Sequence, residues 1–115
     1  MKENIVREKS FAFALTFIEV YKLLISKNEY VLSKQVLRSA TSIGANVKEA
    51  TAAYSSKEFV AKMSISSKEA RETLYWLKLI EASNFIEFEF SKLKNEAEEL
   101  IKLLTSIVKT AQQKL

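Results

Sequence analysis

Apolar residues recur at helical spacing in four separate blocks of the chain. Within each block the apolar positions follow one another at steps of three and four, which is typical of an α-helix with a buried face. The blocks run over about residues 5–26, 32–54, 55–82 and 90–113. Four helices of this length, joined by short connections, predict one all-α domain over residues 1–115, an up-down-up-down four-helix bundle.

The first helix carries two apolar stripes on nearly opposite sides. One stripe consists of Phe11, Ala14, Ile18, Tyr21 and Ile25, and the other of Phe13, Phe17, Val20 and Leu24. A helix on the outside of a monomeric bundle needs only one apolar face. We therefore expect the second face to be deeply buried or to meet a partner.

The other three helices each carry one regular core stripe. The predicted core positions are Val36, Ala40, Ile43, Val47, Ala50 and Tyr54, then Phe59, Met63, Ser66, Ala70, Thr73, Leu77 and Ile80, then Leu93, Ala97, Leu100, Leu104, Ile107 and Ala111. Ser33 is the predicted N-cap of the second helix. Ser55, followed three residues later by Glu58, fits a capping box, so the third helix is expected to begin there.

The composition favours helices and removes the usual parts of an active site. Proline is absent and glycine occurs once, whereas a β fold of this size needs both residues in its turns. Cysteine, histidine and aspartate are also absent. Disulfides, hydrolytic triads and mixed histidine–carboxylate metal sites are thereby excluded. We expect no cofactor, no metal and no catalytic residue.

The stretch RSATSIGANVKEA holds the single glycine, Gly44, among serines and alanines inside the second helix. Small residues let two helix backbones approach closely, so we expect this helix to pack tightly on the third. Ser42, Asn46 and Glu49 lie on a stripe beside the core positions and are expected to form a polar seam. Arg71 of the third helix is the candidate partner, since a buried polar group needs one.

Two chemical alternatives exist for the same stretch. In the first, Asn46 and Glu49 are catalytic, which requires a polar pocket open to solvent. In the second, Glu49 joins Glu69 and Glu72 in a metal site. Metal sites in bundles of the di-iron class use Glu-x-x-His pairs, and this chain has no histidine. The residues therefore favour the structural seam.

Three runs of the chain resemble one bacterial family. KSFAFAL at residues 9–15, SKQVLRSATSIGANVKEATAAYSSKEFVAKM at 33–63 and KEARETLYWLKLI at 68–80 are similar to the four-helix-bundle proteins related to the 23S rRNA intervening-sequence protein, also called the S23 ribosomal protein family. The resemblance implies an all-α bundle that assembles as a ring-like homopentamer. It also implies a kinship with the accessory variability protein of diversity-generating retroelements, a basic pentamer that binds nucleic acid and reverse transcriptase. It transfers no catalytic residue.

Self-association is also expected from the residues themselves. Phe13 and Phe17 are candidate interface residues because the first helix has two apolar faces. Tyr75 and Trp76 of the third helix are candidates because large side chains with an apolar body and a polar tip are typical of interfaces. In the alternative interpretation, Trp76 caps the end of the bundle over the fourth helix. The first interpretation predicts a homo-oligomer, with the subunit number implied only by the resemblance.

The basic balance of the chain suggests nucleic acid as a partner. The formal net charge is +4 and the sequence pI about 9.3. Five such subunits would sum to about +20, and a ring concentrates that field. The candidate phosphate contacts are Lys34, Arg38, Lys48, Lys57 and Lys62. In the alternative interpretation, these side chains are solvated and only keep the protein soluble.

The most apolar run, FAFALTFIEVYKLLI, is interrupted by Glu19 and Lys22 and is too short and too charged to span a bilayer. No secretory signal precedes it, so a cytoplasmic protein without a membrane partner is expected. The function that fits is a non-enzymatic adaptor or scaffold that binds RNA or DNA through basic surface charge. The alternative is a scaffold that binds only another protein.

Overall fold

A computed structural model describes all residues 1–115 and contains four helices and no strand. The helices are α1 (Lys2–Ser26), α2 (Leu32–Thr51), α3 (Ser56–Ser83) and α4 (Ser91–Gln112). The helix α1 packs on α2 and α4, and α3 packs on the same two helices, so the four form a closed square in cross-section. The bundle measures 47 × 21 × 19 Å. The predicted all-α four-helix bundle is confirmed.

Contacts between helices show that neighbours run antiparallel. Lys2 of α1 reaches Ser106 of α4, and Lys9, further along α1, reaches Glu99, which is earlier in α4. Connections of a few residues leave the chain no length to return to the other end of the bundle. The up-down-up-down order follows from these short connections.

The predicted core stripes of α2, α3 and α4 are buried at nearly every position. The buried members are Val36, Ala40, Ile43, Val47 and Ala50, Met63, Ser66, Ala70, Thr73, Leu77 and Ile80, and Leu93, Ala97, Leu100, Leu104 and Ile107. Tyr54 is the exception and is 95% exposed, because α2 ends at Thr51 and Tyr54 lies in the connection that follows. Phe59 and Ala111, near helix ends, are half-buried.

The two predicted N-caps have different outcomes. The hydroxyl of Ser55 accepts the N–H of Glu58 at 3.0 Å, so the cap of α3 is confirmed. The cap predicted at Ser33 is wrong, because Ser33 already lies inside α2 and its buried hydroxyl has no hydrogen-bond partner. The carboxylate of Glu29 caps the start of α2 instead. It accepts the N–H groups of Val31, Leu32 and Ser33, the last at 2.6 Å.

Asparagine, not glycine, supplies the left-handed backbone at the helix ends. Asn28 follows α1 with φ 62°, and Asn84 ends α3 with φ 57°. Asparagine tolerates this conformation better than most residues because its short polar side chain bonds locally. Ile86 and Phe90 of the following connection are buried in the core. A chain with one glycine can therefore still turn tightly between its helices.

Candidate nucleic-acid interface

The outward side of α2 brings three of the five candidate bases to the surface. Lys34, Arg38 and Lys48 are all exposed there, and Lys57 of α3 is exposed as well. Lys62, on the first half of α3, is half-buried. Four of the five candidate bases are thus exposed and the fifth is half-buried, and their availability to a ligand differs from residue to residue.

Arg38 is held by two carboxylates of α3. Its Nη1 donates to Glu69 Oε2 at 2.9 Å, and its Nη2 donates to Glu72. Burial would lower the pKa of the Arg38 guanidinium, but hydrogen bonding and charge attraction from Glu69 and then Glu72 outweigh it, and the net pKa is raised. Arg38 is therefore not a free base, because its long guanidinium side chain reaches across the helix pair to α3.

Lys62 is also paired with a carboxylate. Its ammonium lies 2.8 Å from Glu49 Oε1 of α2. The hydrogen bond to Glu49, with the charge attraction of the same group, raises the pKa of Lys62 above its usual value. Glu49 therefore bridges α2 to α3 through Lys62, and the predicted contact of Glu49 with Arg71 is not formed.

Lys34, Lys48 and Lys57 keep their charge uncompensated. None of the three has a carboxylate oxygen within 4.0 Å. Two lie on α2 and one near the start of α3. The candidate interface thus reduces from five bases to these three, which remain free for phosphate contacts.

A polar seam joins α2 to α3, as predicted, but its buried contacts are made by other residues. Ser66 Oγ of α3 donates to the carbonyl oxygen of Ile43 at 2.7 Å. The hydroxyls of Thr73 and Ser39 lie 3.0 Å apart, and both residues are buried. These two contacts fix the register of the helix pair from inside the core.

Of the residues chosen for the seam from the sequence, only Glu49 contacts the facing helix, through Lys62. The amide of Asn46 donates to the carbonyl and the hydroxyl of Ser42, one turn earlier in the same helix. Arg71 donates to Thr105 Oγ1 of α4 at 3.0 Å. Arg71 fails as the seam partner because it lies on the side of α3 that faces α4.

Gly44 faces α1, not α3. A Cβ atom on Gly44 would lie 3.3 Å from Ser10 Oγ, and the backbone of Ser10 would be its next neighbour at 3.6 Å. The backbone of Gly44 has no positive φ, so space and not conformation selects glycine here. The expected close contact exists, but the helix that approaches is the first.

The apolar stripes of α1 separate into one core stripe and one exposed stripe. Phe13 and Phe17 are buried within the single bundle, at 2% and 0% exposure, so their assignment to a subunit interface is wrong. The other side of α1 exposes Phe11 at 68%, Leu15 at 53% and Ile18 at 36%. Burial in the monomer accounts for one face of α1 and leaves the other face uncovered.

The aromatic pair of α3, Tyr75 and Trp76, is only partly exposed and so only partly available to a subunit interface. Tyr75 is 60% exposed, whereas Trp76 is half-buried against the core. The two rings meet edge to face at 5.4 Å. Trp76 Nε1 donates to Glu72 at 3.0 Å, and Glu72 also accepts a hydrogen bond from Arg38. The indole and the guanidinium therefore share one carboxylate.

The largest cavity is lined by none of the five candidate bases. It has a volume of about 960 Å³ and opens at the end of the bundle where Tyr54, the N-terminus and the last turn of α4 meet. The structure groups no three histidine, cysteine, aspartate or glutamate side chains around a point where a metal ion would sit. None of the four helices combines the length and apolar content needed to cross a membrane.

Comparison with known proteins places this bundle in a family. A sequence model described as 23S rRNA-intervening sequence protein matches residues 2–106. The chain belongs to this family. The match covers almost the whole length of the four helices, including α4, where the three similar runs found in the sequence do not extend.

A solved structure supports the same placement in the 23S rRNA-intervening sequence protein family. The chain is similar to a protein of unknown function from the S23 ribosomal protein family of Bacteroides thetaiotaomicron, whose crystal structure superposes with a TM-score of 0.90. The sequence identity is 46%, and the match covers 95% of this chain and 99% of the other. No curated protein matches the chain. Family and fold are thus shown together.

Proposed function

We propose that this member of the 23S rRNA-intervening sequence protein family is a non-enzymatic, cytoplasmic adaptor that assembles as a ring-like homopentamer and binds RNA or DNA through basic surface charge. The observation that carries the proposal is the set of uncompensated lysines, Lys34, Lys48 and Lys57, on a chain with a net charge of +4. Lysines without carboxylate partners bind backbone phosphates in a sequence-tolerant way, through release of counterions.

The uncovered side of α1 supports self-association. Phe11, Leu15 and Ile18 lie at steps of four and three, so they form one continuous apolar strip along the helix. Burying such a strip against another subunit removes apolar surface from water, at roughly 25 cal/mol per Å². A ring of identical subunits would also multiply the basic surface that each subunit contributes.

A purely protein-binding scaffold is the second candidate. The pairing of Arg38 and Lys62 with carboxylates favours it, because it leaves only part of the predicted basic patch free. The exposed strip on α1 would then serve a different protein. The two candidates differ in one measurable property, which is whether the protein binds nucleic acid in a salt-dependent manner.

Light scattering on a sizing column tests both parts of the proposal. The protein is run alone, with a short RNA and with a short DNA, at about 50 and about 200 mM salt. The matched variant is Lys34→Gln/Lys48→Gln/Lys57→Gln, which keeps the fold and removes three positive charges.

The proposed function predicts a pentamer-sized particle that binds oligonucleotide at low salt and releases it at high salt. The triple variant should keep the mass and lose part of the binding. A pentamer that binds neither RNA nor DNA would favour the protein scaffold. A monomer would contradict the assembly and leave the exposed strip on α1 without its proposed role.

A further inference from the structure

A groove runs between α3 and α4 and is lined mainly by polar side chains. Its volume is about 250 Å³. The polar side chains along it are Ser64, Ser67 and Arg71 of α3 and Thr105, Lys109 and Gln112 of α4. These include two cations, three hydroxyls and one amide, with no carboxylate. Such a lining offers many hydrogen-bond donors and no negative charge, which suits an oxyanion.

Both cations of the groove are free of acidic partners. Neither Arg71 nor Lys109 has a carboxylate oxygen within 4.0 Å. This contrasts with Arg38, which two glutamates neutralise. Arg71 and Lys109 are both exposed, so a ligand reaches them without any movement of the helices.

The groove also orients its arginine. Arg71 Nη2 donates to Thr105 Oγ1 at 3.0 Å, so one nitrogen of the guanidinium is anchored on the opposite helix. The remaining N–H groups stay available, and a guanidinium presents five donors in a fixed plane. Lys109 lies one turn beyond Thr105 on the same side of α4 and lines the same groove as Arg71.

We propose that this groove binds a phosphate group through Arg71 and Lys109, with the hydroxyls of Ser64 and Ser67 as further donors. Arginine binds phosphate with two parallel hydrogen bonds, and lysine adds a point charge. In the function proposed above, on which this step rests, the phosphate belongs to the backbone of a nucleic acid. A free phosphate ion carries the same chemistry, and the experiment separates the two sources.

The experiment compares two double variants that lose the same charge. Arg71→Gln/Lys109→Gln removes the cations of the groove, and Lys34→Gln/Lys48→Gln removes two free cations of α2. Each variant lowers the net charge from +4 to +2. Binding of a fluorescent single-stranded oligonucleotide is measured by anisotropy over a series of salt concentrations, after thermal unfolding has shown that both variants fold.

The groove predicts a specific loss in the first variant. If each cation contacts one phosphate, the slope of log K against log salt falls by about 1.4, which is roughly a 25-fold loss of affinity at about 0.1 M salt. The α2 variant should also lose affinity, because the proposed function places Lys34 and Lys48 on phosphates. Arg71→Lys, which keeps the charge but not the planar fork, should fall between the wild type and the double variant. A groove variant with the affinity and salt slope of the wild type, beside an α2 variant that binds less, would overturn the groove and leave the proposed nucleic-acid binding standing.

A second experiment uses inorganic phosphate as the ligand. Millimolar phosphate should shift the amide NMR signals around Arg71 and Lys109 in the wild type and not in the groove variant. Phosphate shifts without oligonucleotide binding would sustain the groove as a site for small anions and refute the nucleic-acid function. Absence of both would overturn the two proposals together.

Discussion

Gly44 of α2 lies so close to Ser10 of α1 that a β-carbon on Gly44 would stand 3.3 Å from the Ser10 hydroxyl oxygen. That hydroxyl is not free to turn without loss, because it donates to the carbonyl of Arg7 at 3.2 Å. The single glycine of the chain thus lies where the first helix approaches the second closely.

Substitution of Gly44 should report this contact. Gly44→Leu is expected to lower the free energy of unfolding by about 1–3 kcal/mol, because the side chain meets both the hydroxyl and the backbone of Ser10. Gly44→Ala should gain stability in a Ser10→Ala background, by up to about 1 kcal/mol, since alanine has the higher helix propensity and the short contact is gone. Thermal and urea unfolding measure both. An unchanged melting temperature for Gly44→Leu would contradict the close approach.

Ser66 should stabilise the pairing of α2 with α3. Its hydroxyl donates to Ile43 at 2.7 Å in the core, so Ser66→Ala is expected to cost about 1 kcal/mol of unfolding free energy. Ser64→Ala is the matched control. Ser64 lies on the same helix, is half-buried and makes no side-chain hydrogen bond, so its loss should fall within about 0.5 kcal/mol. Equal effects in urea unfolding would show that the seam contributes nothing.

Arg38 should act on stability rather than on ligand binding. Arg38→Gln leaves Glu69 and Glu72 as like charges one turn apart on α3, and the expected loss is about 1 kcal/mol at low salt. The loss should shrink as salt is added, because the pair is partly exposed. Lys34→Gln, which breaks no ion pair, is the control. A loss that does not depend on salt would contradict the electrostatic origin.

The pairing of Lys62 with Glu49 should make stability depend on pH in the alkaline range. Because the folded pKa of Lys62 is raised above 10.5, its contribution is present below that value and is lost as pH rises through the folded pKa. Lys62→Gln should therefore melt below the wild type near pH 8, and the two should converge as the pH rises through the raised pKa of Lys62. Lys57→Gln, without a carboxylate partner, should show no such convergence.

Phe11 and Phe17 offer a matched test of the two faces of α1. Phe17 is fully buried in the bundle, so Phe17→Ser should lower the free energy of unfolding by roughly 3–5 kcal/mol. Phe11→Ser should leave the fold intact and lower the mass in solution, because Phe11 belongs to the exposed strip. Light scattering and circular dichroism separate the outcomes. A Phe11 variant with the mass of the wild type would remove the strip from the proposed interface.

Local patterns determined much of this protein from the sequence alone. The steps of three and four in the apolar positions fixed the number of helices and the buried side of α2, α3 and α4, because helical periodicity is a property of neighbouring residues. The cap of α3 by Ser55 was likewise readable, since a capping box spans only four positions. The family also could be predicted, from three runs of residues that stand in the sequence itself.

Contacts between helices were less readable. A helical wheel gives the direction in which Arg38 leaves α2, but not the place of Glu69 and Glu72 on another helix. For the same reason Arg71 was predicted to contact α2, whereas it contacts Thr105 of α4. Lys109 was not among the predicted contacts, because the groove exists only where α3 and α4 lie side by side. A sign of the groove was nonetheless present in the sequence. Ser64 and Ser67 precede Arg71 at steps of three and four, so the three residues lie on one side of α3.

The first helix shows the division most clearly. Its sequence determined that α1 carries two apolar stripes. A helix on the outside of a monomeric bundle buries only one such stripe against its neighbours. Only the tertiary structure decided that Phe13 and Phe17 enter the core while Phe11 stays exposed. The two stripes are alike in composition, and the choice between them depends on where α2 and α4 stand, which is set by the packing of the whole bundle and not by the residues of α1 alone.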